Sequence, residues 1–192
     1  VDESSGVEYR AMMRKVAEPI TGDTPSTSPV AKLKRVGKGG KEITVYKFRT
    51  MYSYSEYLQP YIYDTQHLDS SGKFALDYRI NTVGAFLRRT WLDELPMLIN
   101  ILKGEMKLVG VRPLSHHYFN LYPPEMQELR TRTLPGLLPP FYYEKEQPRT
   151  LEEIQDSERR YLEAYLQHPW RTDWHYFWGI MHNILLRDKR SH

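Results

Sequence analysis

The chain contains no cysteine. Disulfide bridges, thiolate metal sites and a cysteine nucleophile are therefore excluded, and the composition fits a reducing compartment. Long apolar runs are missing too. No stretch approaches the roughly 18 to 20 apolar residues needed to cross a bilayer, and no signal-peptide pattern opens the chain. The net charge of +3 is too small to indicate a nucleic-acid partner by itself. At 40% the apolar share is a little lean for a globule, yet 192 residues suffice for one domain with a single core.

Tyrosine is abundant, at fifteen residues. Such aromatic content suits interfaces, membrane surfaces and ligand platforms as well as an ordinary core. Positive charge is concentrated between 32 and 49, where Lys32, Lys34, Arg35, Lys38, Lys41, Lys47 and Arg49 face only Glu42. A patch of that kind attracts phosphate, whether of a nucleotide, a lipid headgroup or nucleic acid.

Residues 1–31 read as a polar segment and linker, weakly ordered after a short helix over Tyr9 to Val16, and 32–192 as the main domain. AKLKRVG and EITVYKFRTM, separated by GKGGK, predict a β-hairpin. Residues 52–77 read as a helix and a surface excursion, and a further helix is expected over Val83 to Arg89. Leu92, Leu95, Leu98, Ile99 and Leu102 then recur at helical spacing up to a stop at Gly104. Because Pro96 is tolerated only near a helix start, this helix is expected to begin at Leu92 to Glu94. MKLVGV reads as a short buried strand and LPGLLPP as loop. A helix capped by Thr150 and Glu153 is closed by His168-Pro169, and a last helix covers Asp173 to Leu186. In that last helix Trp174, Phe177, Trp178, Met181 and Leu185 share a face, which suits either the core or an anionic lipid surface. Together these elements predict an α/β fold, a small antiparallel sheet with several packed helices.

Asp93 and Glu94 are the first candidates for chemistry. One carboxylate can attack phosphorus while the other holds a divalent cation or moves a proton. A helix N-terminus would lower their pKa values, although acidic residues in a first turn are also what the helix dipole prefers on its own account. Basic residues from separate elements surround the pair in sequence: Lys47, Arg49, Arg88, Arg89 and, beside Pro113, Arg112. Such a ring suits phosphoryl transfer, where the work is positioning and neutralising charge. Solvated surface charges forming weak ion pairs are the other reading. His116, His117, His168, His175 and His182 show no pairing with acidic residues that indicates a metal site.

YKFRTM, FLRRTWLDELPMLINILKGEMKLVGVRPL and PGLLPPFY resemble the bacterial sugar transferase family, the monotopic phosphoglycosyl transferases, over roughly Lys32 to Tyr142. The resemblance implies a monotopic, membrane-associated catalytic domain at the cytoplasmic face of the bacterial inner membrane. It implies transfer of a phosphosugar from a UDP-sugar to polyprenyl phosphate, with release of UMP, at the start of exopolysaccharide, capsule or O-antigen assembly. By the same resemblance Asp93 matches the nucleophile of a covalent phosphosugar intermediate, and Glu94 its partner associated with Mg²⁺. Arg112 and Pro113 match an element linked to nucleotide binding, Lys47 and Arg88 match basic site positions, and Arg49 is a weaker addition. No nucleic-acid partner is expected, and the oligomeric state stays open. Two departures stand out: Val111 where the family often has proline, and LLPPFYYEKE after Gly136. Members carry an N-terminal hydrophobic segment, which residues 1–31 do not supply, so an intact protein of this kind is expected to be longer. Two other readings share the residues: a basic, aromatic module for membranes or RNA, and a Mg²⁺-dependent nucleotide-sugar hydrolase.

Overall fold

The structure is a computed structural model that describes residues 2–3, 9–10, 27–53, 55, 79–144, 146, 148 and 150–187. The expected linker character before residue 27 and most of the excursion from Tyr52 to Asp77 lie outside the described residues. Tyr9 and Arg10 are the exception, because they do not open a helix. They form β2 (Tyr9–Arg10), antiparallel to β1 (Asp2–Glu3).

β3 (Val30–Val36) and β4 (Glu42–Phe48) form the expected hairpin, pairing Val30 with Phe48 and Val36 with Glu42. Gly39 and Gly40 close it at φ 68° and 72°, the left-handed region that a Cβ disfavours. Because side chains alternate along a strand, Leu33, Arg35, Val45 and Lys47 share one face.

Helix α1 (Thr82–Arg89) starts at Asn81, whose side chain accepts from the Gly84 N–H at 2.6 Å. Its first turn lies directly on the end of the hairpin. A Cβ on Gly84 would come within 1.9 Å of the Thr50 carbonyl oxygen, so only glycine permits this approach.

The following segment departs from expectation. Leu92–Glu94 is a 3-10 turn, with Glu94 N–H bonded to Trp91 O and Leu95 N–H to Leu92 O. The α-helix proper, α2 (Met97–Leu102), begins three residues later, after Pro96. The two carboxylates therefore precede the helix instead of occupying its first turn. Pro96 supplies no N–H to continue the winding, and Trp91, in the left-handed region at φ 59°, sets a new chain direction. Gly104 ends α2 as expected, at φ 71°.

The inward face of α2 is also not the leucine stripe. Met97 and Asn100 are buried, whereas Leu92, Leu95, Leu98, Ile99 and Leu102 are exposed. Asn100 explains the choice: its Nδ2 donates to Thr44 O and Glu105 Oε2, both at 2.7 Å, and its Oδ1 accepts from Tyr46 N–H at 3.2 Å. Unpaired backbone groups on β4 are satisfied by that one amide, which clamps α2 to the hairpin.

β5 (Lys107–Val109) is the short strand read in MKLVGV, but its partner is β6 (Gly136–Leu138), inside the segment expected to be loop. The two run parallel. Prolines 135 and 139 flank β6 and leave its interior N–H groups free to pair, so the strand survives their presence. The crossover between them carries α3 (His116–Phe119) and α4 (Pro124–Thr131).

Helix α5 (Leu151–Gln167) has the expected start, with Thr150 Oγ1 accepting from Glu153 N–H at 3.2 Å. Helix α6 (Pro169–Arg187) begins earlier than expected, because Pro169 serves as its first residue, where the missing N–H costs nothing.

Apolar burial forms two clusters. Val45, Met97 and Met106 join the hairpin to α2, while Val109, Val111, Tyr122, Met126, Tyr142, Tyr161, Leu162 and Ile180 join β5, α4, α5 and α6. Six α-helices and small antiparallel and parallel pairs among the described residues make a mixed α/β fold. Among those residues no helix is long and apolar enough to cross a membrane.

Candidate active site

A cavity of about 780 Å³ lies between the two clusters, with Val45 and Met97 on its lining from one and Tyr122 and Tyr142 from the other. All the residues singled out in the sequence except Arg89 reach it: Lys47, Arg49, Arg88, Asp93, Glu94, Arg112 and Pro113. Arg89 points elsewhere and is exposed. Basic groups outnumber acidic ones, since Lys32, Arg35 and Arg79 also line the cavity and Glu158 is the further acid. The hairpin, α1, the 3-10 turn and the segment after β5 each contribute.

Glu94 is the hub. Its Oε1 accepts from Lys47 Nζ at 2.6 Å and from Arg112 Nη2 at 2.8 Å. Burial works against its charge, but Arg112 and Lys47 outweigh that and hold the carboxyl below its usual range. Lys47 is pushed the other way, below the usual lysine value, by burial and by the nearby charge of Arg112.

Asp93 sits differently. It is 8% exposed and accepts no hydrogen bond among the described residues. Burial raises its pKa, against the opposing pull of Lys47, Arg88 and Arg112. The lowering expected from a helix N-terminus is not what governs it, because the residue precedes the helix and desolvation dominates. A carboxylate with little hydration and no hydrogen bonds keeps its electron pairs available for attack.

Positioning of the basic partners is visible in the backbone. Arg88 donates from Nε to Thr50 Oγ1 at 2.9 Å, which ties α1's last turn to the end of YKFRT. Arg49 donates to Ser28 O at 2.8 Å. Around Arg112, Val111 O accepts from Gly136 N–H at 2.8 Å, and Leu114 O accepts from Val36 N–H at 2.9 Å. Arg112 O itself accepts from Arg130 Nη2 at 2.5 Å, and Arg130 is held by a buried ion pair with Glu158.

Several of these residues carried no signal in the sequence. Arg130 and Glu158 are ordinary helical charges until α4 and α5 meet. Trp91, whose ring packs on Tyr142 at a centroid distance of 4.9 Å, fixes the turn that presents Asp93. Arg35 was visible only as part of a charge run, although its alternation with Leu33 already placed it on one strand face.

A divalent cation fits the residues present. Both donors to Glu94 use Oε1, which leaves Oε2 without a hydrogen-bond partner among the described residues, and the Asp93 carboxylate is close enough for the two like charges to oppose one another. Two carboxylates and no more match an ion that shares its shell with substrate phosphates. Groups of three or more His, Cys, Asp or Glu able to hold a metal are absent among the described residues. One histidine is paired with an acid, against expectation: His116 Nε2 lies 3.3 Å from Glu42 Oε2, on the surface.

The sequence profile of the bacterial sugar transferase family matches residues 12–182. This chain belongs to the bacterial sugar transferase family. The sugar transferase EpsL of Bacillus subtilis is 41% identical over 104 residues, 54% of this chain and 45% of that protein. An undecaprenyl-phosphate galactose phosphotransferase of Salmonella typhimurium is 42% identical over 85 residues, 42% of this chain and 18% of its own length. A UDP-N-acetylgalactosamine-undecaprenyl-phosphate N-acetylgalactosaminephosphotransferase of Aeromonas hydrophila is 38% identical over 104 residues, 53% of this chain and 22% of its own. This sugar transferase chain spans less than half the length of each of these three relatives.

Proposed function

We propose that this sugar transferase chain moves a sugar 1-phosphate from a UDP-sugar to polyprenyl phosphate and releases UMP, the first step of a surface polysaccharide. The observation that carries the reading is Asp93, desolvated and without a hydrogen bond among the described residues, in a cavity with Lys47, Arg88 and Arg112 around it. The Salmonella and Aeromonas relatives, named for undecaprenyl-phosphate acceptors, support the acceptor class.

In the first half-reaction a carboxylate oxygen of Asp93 bonds to the β-phosphorus of the donor. The bond from that phosphorus to the bridging oxygen breaks, and its electron pair leaves with UMP. In the second, a phosphate oxygen of the polyprenyl phosphate attacks the same phosphorus and expels the Asp93 carboxylate. Lys47 and Arg88 stabilise the charge that develops on the phosphoryl oxygens, and Arg112, fixed through its own carbonyl by Arg130, orients the diphosphate. Glu94 holds Lys47 and Arg112 in place, and with Asp93 it would hold Mg²⁺, whose chemistry there is to neutralise phosphate charge.

The acceptor is a lipid, so the cavity must meet a membrane surface. The exposed apolar side chains Leu92 and Leu95 flank the acidic pair directly, and Leu98, Ile99 and Leu102 continue that surface. Trp170, Trp174 and Trp178 line an outer face of α6, at 91%, 66% and 55% exposure, while Phe177 packs inward. Exposed apolar and aromatic side chains of this kind suit the lipid interface at the cytoplasmic face of the membrane.

The test is UMP release by the purified protein in detergent, with Mg²⁺, polyprenyl phosphate and a panel of UDP-sugars. Beyond the single equivalent per protein that Asp93 attack yields, release that requires the lipid acceptor is expected. Release at an undiminished rate without it points to water as acceptor, hence to hydrolysis, and no release from any donor by folded protein contradicts the reading.

A further inference from the structure

Arg35 sits on β3, on the hairpin face that carries Leu33, Val45 and Lys47, and it lines the cavity. The next residue anchors it: Val36 N–H donates to Leu114 O at 2.9 Å, which fastens β3 beside the Arg112-Pro113 segment. Arg35 is thereby brought close enough to Arg112 for their like charges to oppose one another, and burial adds to the cost of its charge. Its only side-chain hydrogen bond among the described residues runs from Nη1 to Lys34 O at 2.8 Å, and none of their carboxylates pairs with it. Lys47 and Arg112 both pair with Glu94, so Arg35 is the contrasting case. A guanidinium has five N–H donors in a fixed fork, and here four have no partner among the described residues.

We propose that Arg35 is a phosphate-binding residue of this cavity, its guanidinium and that of Arg112 closing on one phosphate group of the ligand. A phosphate between them turns a repulsive pair into two attractive contacts, which is what an isolated half-buried arginine facing a second arginine lacks. The assignment rests on the phosphoryl-transfer reading of the cavity and adds to it a residue from the opposite strand of the hairpin. The phosphate can belong to the donor diphosphate or to the lipid monophosphate, and the chemistry of recognition is the same.

Calorimetric titration with UDP and, separately, with farnesyl monophosphate distinguishes the two sources. Arg35→Gln is expected to weaken one of these probes by about tenfold, the size of one charge-assisted contact, and the affected probe identifies the phosphate. Arg35→Lys is expected to restore part of the loss. Lys38→Gln removes the same charge from the exposed hairpin turn and is expected to change neither affinity. In the unsubstituted protein, the affected probe should also slow phenylglyoxal modification of Arg35, read by peptide mass. Unchanged binding of both probes in Arg35→Gln, equal losses in Lys38→Gln, or no binding of either probe to the folded protein overturns the assignment. Arg35-dependent binding by a protein that releases no UMP leaves this site standing and removes the transferase. Lipid-dependent UMP release with Arg35-independent binding does the reverse.

Discussion

Asp93 and Glu94 are adjacent in the chain and face opposite surroundings. Glu94 collects two cations and is held ionised, whereas Asp93 is desolvated, without a hydrogen bond among the described residues, and raised above the ordinary aspartate value. In the proposed mechanism the attacking Asp93 carboxylate must be deprotonated, so activity is expected to fall as pH drops through its raised pKa. The acid limb of kcat/KM is therefore expected above the usual 3.8 of aspartate. Arg88 favours the charged form of Asp93, so Arg88→Gln should move that limb to still higher pH. A pH–rate profile checks both, and a limb that moved down in Arg88→Gln would contradict the account. At this scale the grouping of the pair with most of its basic partners in one cavity was legible through the resemblance of their motifs to the family, since residue type and spacing alone left solvated surface charges as an equal reading. The direction of the Asp93 shift was not, since it depends on burial that the order of residues does not state.

Among the elements, α2 carries the clearest lesson. Its leucines recur at helical spacing, yet the side turned to the hairpin is the one bearing Asn100, which is fully buried and serves three partners. Replacing it with Leu keeps the volume and removes the amide. Tyr46 N–H and Thr44 O then lose a partner, and we expect a loss of about 2–4 kcal/mol in urea unfolding. Turnover should fall as well, because β4 carries Lys47 and the chain entering α2 carries Glu94. Patterning by hydrophobicity alone assigns the leucines to the core, and the outward stripe is left for another surface to explain. The hairpin and the α5 cap were readable from local signals, glycine turn and Thr150, because they are closed by neighbours in sequence. β6 was hidden by its flanking prolines, and a parallel partner some thirty residues away leaves no local trace.

Across the whole molecule, stability and location depend on groups remote from the cavity. Lys107 Nζ joins β5 to α6 through Asp173 at 3.0 Å, donates to Tyr161 OH at 2.7 Å, and lies over the Tyr165 ring. Burial lowers its pKa to about 8, more than Asp173 restores. Between about 8 and the ordinary 10.5 the unfolded chain holds a proton that the folded chain has released, so stability rises with pH across that window. The full effect is on the order of 3 kcal/mol. Tyr161 and Tyr165 are raised, which opposes the trend at the alkaline end, so the comparison belongs between pH 7.5 and 9.5. Urea titrations there should show the rise in the unsubstituted protein and a flatter response in Lys107→Met; equal slopes would contradict this. The proposed membrane docking also belongs to this scale. Replacing Trp170, Trp174 and Trp178 together by Ser is expected to cut flotation with anionic vesicles by about tenfold or more, with the fold preserved, since all three lie outside the core. Unchanged flotation would move the lipid contact away from α6. The aromatic face was legible in sequence, but the split between Phe177 inward and the tryptophans outward required the partner helix.

The most direct test of the account is the intact mass of the protein after one turnover with a UDP-sugar and Mg²⁺ but without lipid acceptor. We expect a mass increase of one sugar phosphate, located on Asp93 by peptide mapping, discharged on adding polyprenyl phosphate, and absent in a folded Asp93→Asn protein. UMP release that persists in Asp93→Asn, with no adduct on the unsubstituted protein, would contradict it.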